Sequence, residues 1–239
     1  MLAPVVVFVY NRPNHTQETL EALKCNKLAS ETDMYIFSDN ARNEKDASKV
    51  NAVRAYIRDF ANRAIFHSVK IIEAEKNNGL ANSVISGVTQ IIKTYGKVIV
   101  VEDDLVTSTD FLVYMNSSLD YYQLDNTIWS ISGYTFSMKS LEDYKNDVYL
   151  SYRACSWGWA TWEDRWIKTD WDVSDYNKFI YNYKCRKAFN LGGSDLAGML
   201  DIQMESRIDS WAIRWCYAQF KCGKFTVYPK ESKVINIGT

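Results

Sequence analysis

The sequence predicts an α/β fold in which a doubly wound, mostly parallel sheet is flanked by helices. Apolar runs alternate with helical patterns through the first hundred residues, in repeated strand–helix units. The runs are continuous rather than alternately apolar and polar, as expected for strands buried on both faces of a parallel sheet. Since parallel strands need long right-handed crossovers, repeated units of this kind favour a doubly wound sheet.

The first half of the chain divides into four strands and three helices. Strands are predicted at residues 4–10, 33–40, 68–74 and 97–104, and helices at 16–26, 46–62 and 77–96. Asn14 or Thr16 is expected to cap the first helix, because its side-chain oxygen can accept a hydrogen bond from a free amide group. Gly96 is expected to end the third helix, because glycine readily adopts the left-handed conformation found there.

The second half is less regular and rich in aromatic residues. Helical patterns occur at residues 107–125, 176–189 and 210–223, and strand patterns at 127–134 and 224–232. Ser108 or Thr109 is expected to cap the helix at 107–125. Because the sequence shows no repeat, low-complexity tract or clear linker, residues 1–239 are predicted to form a single domain.

Composition excludes several function classes. The net charge is −1, and no Lys/Arg tract is present, so the sequence shows no electrostatic footprint for nucleic acid or an anionic membrane. The five cysteines are scattered without C-x-x-C spacing, which argues against a zinc site or a disulfide scaffold. The apolar run at 4–10 is too short to span a bilayer, and no signal peptide precedes it. A cytoplasmic protein is therefore expected.

Three consecutive carboxylates end the fourth predicted strand, at Glu102, Asp103 and Asp104. Acidic groups this close repel one another, and they are costly to bury without a positive partner. Mg²⁺ or Mn²⁺ would resolve the repulsion, since both prefer carboxylate oxygens and complete their shells with water and phosphates. The alternative is that the aspartates lie in a solvated turn.

The other strand ends are also polar, and ligands of open parallel sheets bind at this edge. The loop after the first strand, "YNRPNHT", has no glycine and one cation, which argues against a nucleotidyltransferase that wraps a triphosphate. Asn11 stands where a haloacid-type phosphatase would need its nucleophilic aspartate. Group transfer from a diphosphate donor, with a metal assisting the leaving group, fits what remains.

Several stretches together resemble a known family. "PVVVFVYNRP", "IFSDN", "NNGLANSV" and "VIVVEDDLVTSTDFLVYM" are similar to GT-A fold glycosyltransferases of the broad family-2 kind. The later stretches "SWGWATWEDRW" and "RIDSWAIRW" extend the similarity, in order and spacing, to the catalytic domain of N-acetylglucosaminyltransferase I and its bacterial relatives. The resemblance covers most of the chain, and it implies a GT-A fold with an aromatic-rich C-terminal acceptor region.

The resemblance also implies an activity. It is the inverting, metal-dependent transfer of a hexose or N-acetylhexosamine from a UDP-sugar to a glycan hydroxyl, in the synthesis of surface polysaccharide or glycoconjugate. Residues 1–104 would bind the nucleotide sugar, and residues 105–239 would bind the acceptor, lipid-linked or protein-linked, and carry the base. A cytoplasmic location, including the inner face of the membrane, is expected. Two alternatives stay open: a nucleotidyltransferase, and a non-catalytic module that binds nucleotide sugars or carbohydrates.

Site residues can be carried over onto matching positions. Asp104 would ligate Mn²⁺ or Mg²⁺ as the last acid of the motif. Arg12 is implied to lie near the nucleotide, and Asp39 or Asn40 is implied to contact the uracil. Asn78 and Gly79 would form a turn that cradles the nucleotide, which we call the cradling turn. Glu102 and Asp103 would contact the sugar and the ribose.

The catalytic base is predicted to be a carboxylate, because the chain has only two histidines. Asp209 matches the first aspartate of an Asp-Asp-Trp motif, although this sequence has Ser210 at the second position. Asp209 could instead cap the helix that follows. Glu163 and Asp164 are the alternative bases. Trp157 and Trp159, on either side of one glycine, are predicted to form a wall on which sugars stack.

Overall fold

The computed structural model describes residues 1–238, in which a central eight-stranded sheet carries helices on both faces. The strands are β1 (Val5–Val9), β2 (Asp33–Ser38), β3 (Ser68–Glu73), β4 (Lys97–Glu102), β5 (Leu105–Thr107), β6 (Ile128–Ser132), β7 (Val148–Ser151), β8 (Trp159–Trp162), β9 (Phe225–Pro229) and β10 (Val234–Asn236). The α-helices are α1 (Pro13–Lys24), α2 (Glu44–Ala61), α3 (Leu80–Tyr95), α4 (Phe111–Tyr121), α5 (Glu163–Trp166), α6 (Tyr176–Phe179), α7 (Tyr183–Phe189), α8 (Leu196–Met204) and α9 (Trp211–Lys221). None of these helices combines the length and apolar character that a membrane crossing requires.

The main sheet has the order β3-β2-β1-β4-β8-β6-β9-β7. The first four strands are mutually parallel, and β6 and β9 are also parallel, whereas β8 and β7 pair antiparallel with their neighbours. The predicted α/β fold with a mostly parallel sheet is therefore confirmed. Because β1 and β4 are central, the ends of both strands lie in the middle of the carboxyl edge, where ligands of such sheets bind.

Side chains of β1 alternate between two hydrophobic cores. Val5, Val7 and Val9 pack on one face with residues of α1, α2 and α4. Val6 and Phe8 pack on the other face with residues of α3, α8 and α9. Burial of each such side chain stabilises the fold by about 1.5–3 kcal/mol. Because helices cover both faces of the sheet at β1, all five side chains of the strand are buried, and its sequence is a continuous apolar run.

Two predicted helix caps are wrong. Helix α1 begins at Pro13 with Arg12 at the capping position, rather than at Asn14 or Thr16, because proline presets the helical φ at the first position. Helix α4 begins at Phe111, later than predicted. Its capping position holds Asp110, which accepts a hydrogen bond from the Ser108 hydroxyl and caps no amide group.

Helices α7 and α8 are joined by an ion pair between Arg186 and Asp201. The two guanidinium nitrogens donate to the two carboxylate oxygens at 2.8 and 2.6 Å. These hydrogen bonds lower the pKa of Asp201, and burial opposes them. A carboxylate whose pKa is lowered by folding stabilises the protein above its unfolded pKa, and this stabilisation disappears as the pH falls through the native pKa.

Asp201→Asn is therefore expected to reduce the free energy of unfolding at pH 7 by about 1–2 kcal/mol. The difference from the wild type should shrink as the pH falls below the ordinary aspartate pKa of about 3.9. Urea denaturation at several pH values measures both effects. Glu205→Gln removes an exposed pair with Arg207 and should change stability by less than about 1 kcal/mol. Equal losses in the two variants would contradict a specific role for the Arg186 pair.

Candidate active site

A cavity of about 410 Å³ opens at the carboxyl edge of β1, β2 and β4. Its volume lies within the range of pockets that bind small molecules. Five of the predicted site residues line it: Arg12, Asp39, Gly79, Glu102 and Asp103. The convergence predicted for the polar strand ends is therefore present around one cavity.

Arg12 offsets the repulsion between Asp103 and Asp104 by pairing with both carboxylates. Its guanidinium donates one hydrogen bond to Asp103 and another to Asp104, the latter at 3.0 Å. The Asp103 side chain is only 5% exposed, so an unpaired charge there would be strongly destabilising. These ion pairs join residues far apart in the sequence, because Arg12 follows β1 while both aspartates follow β4.

The three acids differ in their electrostatic surroundings. Burial raises the pKa of Glu102 to about 7, and the charges of Asp104 and Asp103 act in the same direction. Burial also raises the pKa of Asp103, although Arg12 opposes that rise. Glu102 therefore changes its charge near neutral pH, whereas Asp103 has a guanidinium partner.

In the turn Glu102–Asp104, which we call the acid turn, Asp104 has a carboxylate oxygen suited to a divalent cation. Oδ2 of Asp104 accepts from Arg12, whereas Oδ1 accepts no hydrogen bond from residues 1–238. The side chain retains 14% exposure. Mn²⁺ and Mg²⁺ favour carboxylate oxygens, and Mg²⁺ in particular is held by one or two of them together with substrate phosphates. The residues present therefore fit such an ion, although no group of three or more His, Cys, Asp or Glu side chains in this part of the chain converges to hold one.

The C-terminal strand β10 packs against this acid turn. It pairs with β5, and the Ile237 amide donates to the Asp104 carbonyl at 2.9 Å. The Ile237 carbonyl lies 3.0 Å from Nε2 of His15. A Cβ atom built on Gly238 would overlap Oδ2 of Asp104, so only glycine fits there without a shift.

Asp39 organises the loop before α3. Its carboxylate accepts hydrogen bonds from the backbone amides of Asn40, Asn78 and Gly79 and from the Asn77 side chain. An ionised carboxylate has about four acceptor positions, so these contacts use most of them. Asp39 thus holds the cradling turn in position, and the uracil contact predicted for it stays a prediction.

Asn40 and Asn78 also form hydrogen bonds with other residues of the protein. The Asn40 amide donates to the Glu75 carbonyl at 2.6 Å, and its oxygen accepts from the Ala41 amide. Asn78 contributes its backbone to the Asp39 contact, and its carbonyl accepts from the Asn82 side chain. Neither side chain lines the cavity, so their predicted nucleotide contacts stay predictions.

Gly79 has backbone angles that other residues adopt only at a cost. Its φ is +80° and its ψ is 161°, and an added Cβ would lie 3.2 Å from Oδ2 of Asp209. Gly79→Ala is therefore expected to lower the free energy of unfolding by about 1–3 kcal/mol and to weaken ligand binding in the cavity. Gly198→Ala in α8 is the matched control, since its Cβ meets nothing within 4 Å and alanine favours helix. Thermal unfolding of both variants tests the prediction, which equal stability would contradict.

Asp209 lies at the N-terminal end of α3, beside Gly79. Its Oδ2 accepts from the Ala81 amide at 3.4 Å, and its Oδ1 is 3.8 Å from a guanidinium nitrogen of Arg214. The side chain is 58% exposed. The capping alternative for Asp209 is wrong, because Ser210 is the N-cap of α9 and accepts from the Ile213 amide. Asp209 thus presents an accessible carboxylate next to the cavity.

Glu163 and Asp164 lie at the opposite edge of the sheet. Strand β8 runs antiparallel to β4, so its last residue, Trp162, pairs with Lys97 at the start of β4. The Glu163 amide then donates to the Gly96 carbonyl. The length of β4 separates these carboxylates from Glu102 by roughly 16 Å. Neither can act as a base at this site, and that alternative is wrong.

The two tryptophans of the W-G-W stretch have different environments. Trp159 is fully buried and packs against Trp166, Trp211 and Trp215, so it offers no ring to a ligand, contrary to the prediction. Trp157 is 37% exposed and lines a second cavity of about 390 Å³. That cavity also includes Tyr134, Phe136 and Ser210, the neighbour of Asp209.

Other cavity residues were missed by sequence reasoning. Phe8 and Phe37 stack with ring centroids 5.3 Å apart and form part of the cavity wall. Both were interpreted as strand residues, and the absence of a side chain on Gly87 lets α3 approach Phe8 closely. Arg42 and Ser83 also line the cavity, and neither belongs to a recognisable motif.

Two solved structures are similar to this chain. Residues 1–349 of TarS from S. aureus match with a TM-score of 0.56 and 11% identity, over 98% of this chain and 59% of that one. GalNAc-T7 solved with UDP, GalNAc and Mn²⁺ matches with a TM-score of 0.59 and 13% identity, over 100% of this chain and 44% of that one. This chain therefore spans about half the length of each.

These likenesses show the fold, which is the GT-A type predicted from the sequence. The narrower similarity to N-acetylglucosaminyltransferase I stays a prediction. Comparison with protein-family models and with curated proteins gives no match.

Proposed function

We propose that this chain is an inverting, metal-dependent glycosyltransferase that moves a hexose or N-acetylhexosamine from a UDP-sugar to a glycan hydroxyl. One observation carries the proposal. The acid turn at Glu102–Asp104 and the accessible carboxylate of Asp209 flank the same cavity, at the edge of the sheet where ligands bind. The GT-A fold and the UDP and Mn²⁺ in GalNAc-T7 support the choice of donor.

The base would be Asp209. It would take the proton of the acceptor hydroxyl as the acceptor oxygen bonds to the anomeric carbon of the donor sugar. The bond from that carbon to the diphosphate oxygen breaks in the same step, and UDP leaves with the electron pair. The carboxylate is mostly exposed and holds only a long hydrogen bond from Ala81, so its oxygens can reach a hydroxyl. Attack opposite the leaving group inverts the anomeric centre.

The donor side would be held by the acid turn and Arg12. A divalent cation at Asp104 would supply positive charge for the departing diphosphate. Arg12, which is 37% exposed, could turn from the aspartates toward the phosphates, where a guanidinium binds well. Glu102, which lines the cavity, would contact a donor hydroxyl.

The acceptor would bind in the second cavity, which is lined by Trp157 and Tyr134. Their rings lie 4.5 Å apart at 75°, and aromatic faces of this kind stack on sugars. Ser210 joins this cavity to Asp209, so a bound hydroxyl would meet the base. A lipid-linked or protein-linked glycan used in surface polysaccharide synthesis suits such an open site, and the reaction would then run at the cytoplasmic face of the membrane.

A second candidate is a nucleotide-sugar-binding module without catalysis. It is favoured by one observation: Arg12 already neutralises both aspartates, so a ligand could bind without a metal. The two candidates differ in their metal dependence and in turnover.

Thermal unfolding with a panel of UDP-sugars, with and without Mn²⁺, is the first test. We expect one or two sugars to raise the melting temperature, and only when Mn²⁺ is present. UDP release in the presence of glycan acceptors and NMR of the product anomer then measure transfer and inversion. Binding that needs no metal and yields no UDP would support the module. Release of pyrophosphate from UTP would identify a nucleotidyltransferase, and a retained anomer would contradict inversion.

A further inference from the structure

Helices α6 and α7 carry exposed tyrosines and lysines on a surface outside both cavities. We call it the basic aromatic surface, and it consists of Lys178, Tyr181, Tyr183, Lys184, Lys187 and Leu191. Tyr181 is 87% exposed, Tyr183 is 77% exposed and Leu191 is 67% exposed. Three large side chains left in water within eleven residues need an explanation other than core packing.

The core contacts of this region are made by other side chains. Phe179 and Phe189 are buried and pack edge-on against Tyr217 of α9. Within α7, the exposed Tyr183 and Lys187 are four residues apart, so they share one face, and the exposed Leu191 follows just after the helix ends. The buried residue of α7 is Phe189, which lies two positions after Lys187 and therefore on the opposite side of the helix. The tyrosines are therefore directed outward while the phenylalanines anchor the surface to the fold.

The charge of this surface is positive and uncompensated. Residues 176–194 contain no aspartate or glutamate. None of the three lysines of the surface forms an ion pair with residues 1–238. Of the acids that flank the segment, Asp175 pairs with Lys221 and Asp195 with Arg153, both outside it, while Asp201 pairs with Arg186 of α7 and not with a lysine of the surface. The net charge of −1 for the whole chain conceals this local excess. The sequence contains no Lys/Arg tract here, because the three lysines are separated along the chain and share only a region of the surface.

We propose that the basic aromatic surface docks on a bilayer containing anionic phospholipids. Lysines near such a bilayer are attracted by its negative surface potential, and each contributes about tenfold or less to binding. Tyrosine rings lie favourably at the boundary between headgroups and acyl chains, and an exposed leucine gains by burial there. A soluble polyanion would satisfy the lysines but leave Tyr181, Tyr183 and Leu191 in water. An anionic bilayer therefore explains why lysines and exposed tyrosine and leucine side chains occur together on this surface.

Docking here would also orient the two cavities. The surface packs through Tyr217 onto α9, and Ser210 at the start of α9 lies roughly 10 Å away along the helix axis. The second cavity includes Ser210, so a bilayer at this surface would lie on the acceptor side. Membrane binding itself does not depend on the proposed activity and can be tested without a donor sugar.

Co-sedimentation with vesicles tests the proposal. The full chain is mixed with vesicles of phosphatidylcholine alone, or of phosphatidylcholine with about one third phosphatidylglycerol. We expect binding to the anionic vesicles only, weakened by added salt. The double variant K184E/K187E should bind at least about tenfold less. Y181S/Y183S should bind several-fold less at unchanged charge.

The matched control is K45E/K49E, which reverses two exposed lysines on α2, a helix that packs against β3 at the far end of the sheet. It should bind anionic vesicles like the wild type, and circular dichroism should show that all variants are folded. Equal loss in the control, or wild-type binding by K184E/K187E, would overturn the proposal. Tight binding to inorganic polyphosphate without binding to vesicles would overturn it as well, since it would identify a soluble polyanion as the partner.

Discussion

Asp104→Asn is expected to remove metal-dependent UDP binding and to lower transfer activity by at least about 10²–10³-fold. The substitution retains the shape of the side chain but removes the charge of a carboxylate whose Oδ1 accepts no hydrogen bond from residues 1–238. Arg12 keeps its pair with Asp103, so the fold should survive. Calorimetric titration with UDP, in Mn²⁺ and in EDTA, separates the loss of the metal from a loss of the nucleotide site.

Asp120→Asn is the control for this variant. Asp120 is an exposed carboxylate, and its partner Lys97 is the first residue of β4, at the edge opposite the cavity. Its loss should leave UDP binding and activity within about twofold of the wild type. Mn²⁺-dependent UDP binding by Asp104→Asn equal to that of the wild type would show that the metal has other ligands. The assignment of Asp104 as the metal ligand would then be wrong.

Asp209→Asn is expected to lower kcat by about 10²–10⁴-fold while leaving the affinity for the UDP-sugar nearly unchanged. An asparagine oxygen can still accept the hydrogen bond from Ala81, so the start of α3 should keep its geometry. The amide cannot take a proton from the acceptor. Steady-state kinetics together with direct UDP binding distinguish this outcome from a general disturbance of the site, which would weaken both.

Glu163→Gln provides the matched control, because it changes the same functional group at the opposite edge of the sheet. Its activity should equal that of the wild type. If Asp209→Asn retained more than about one tenth of the activity, Asp209 would not be the base. A decrease confined to donor affinity would instead assign Asp209 to positioning Gly79 and the cradling turn.

The parallel half of the fold was predictable because its strands are buried on both faces. The apolar run of β1 was predicted at 4–10 and observed at Val5–Val9. Strands β5 and β10 have three residues each, which is too few to show a periodic pattern. They pair with each other although about half of the chain lies between them. Their pairing is a tertiary effect that no local pattern contains.

The site was predictable as a set of strand ends but not in its contacts. Motif position identified Glu102, Asp103 and Asp104, yet it could not show that Arg12 would neutralise two of them. In the same way, Trp157 and Trp159 look equivalent in sequence. Only the start of β8 at Trp159 makes one a core residue and leaves the other accessible. In both cases the deciding contacts, those of Arg12 with the aspartates and of Trp159 with Trp211 and Trp215, join residues far apart in the chain.

The packing of Gly238 against Asp104 has a practical consequence for site-specific labelling. A cysteine introduced at position 238 to carry a spectroscopic label would lie beside the carboxylate that is proposed to bind the metal. Gly198 on α8 is a better position for such a label, because a side chain there meets nothing within 4 Å.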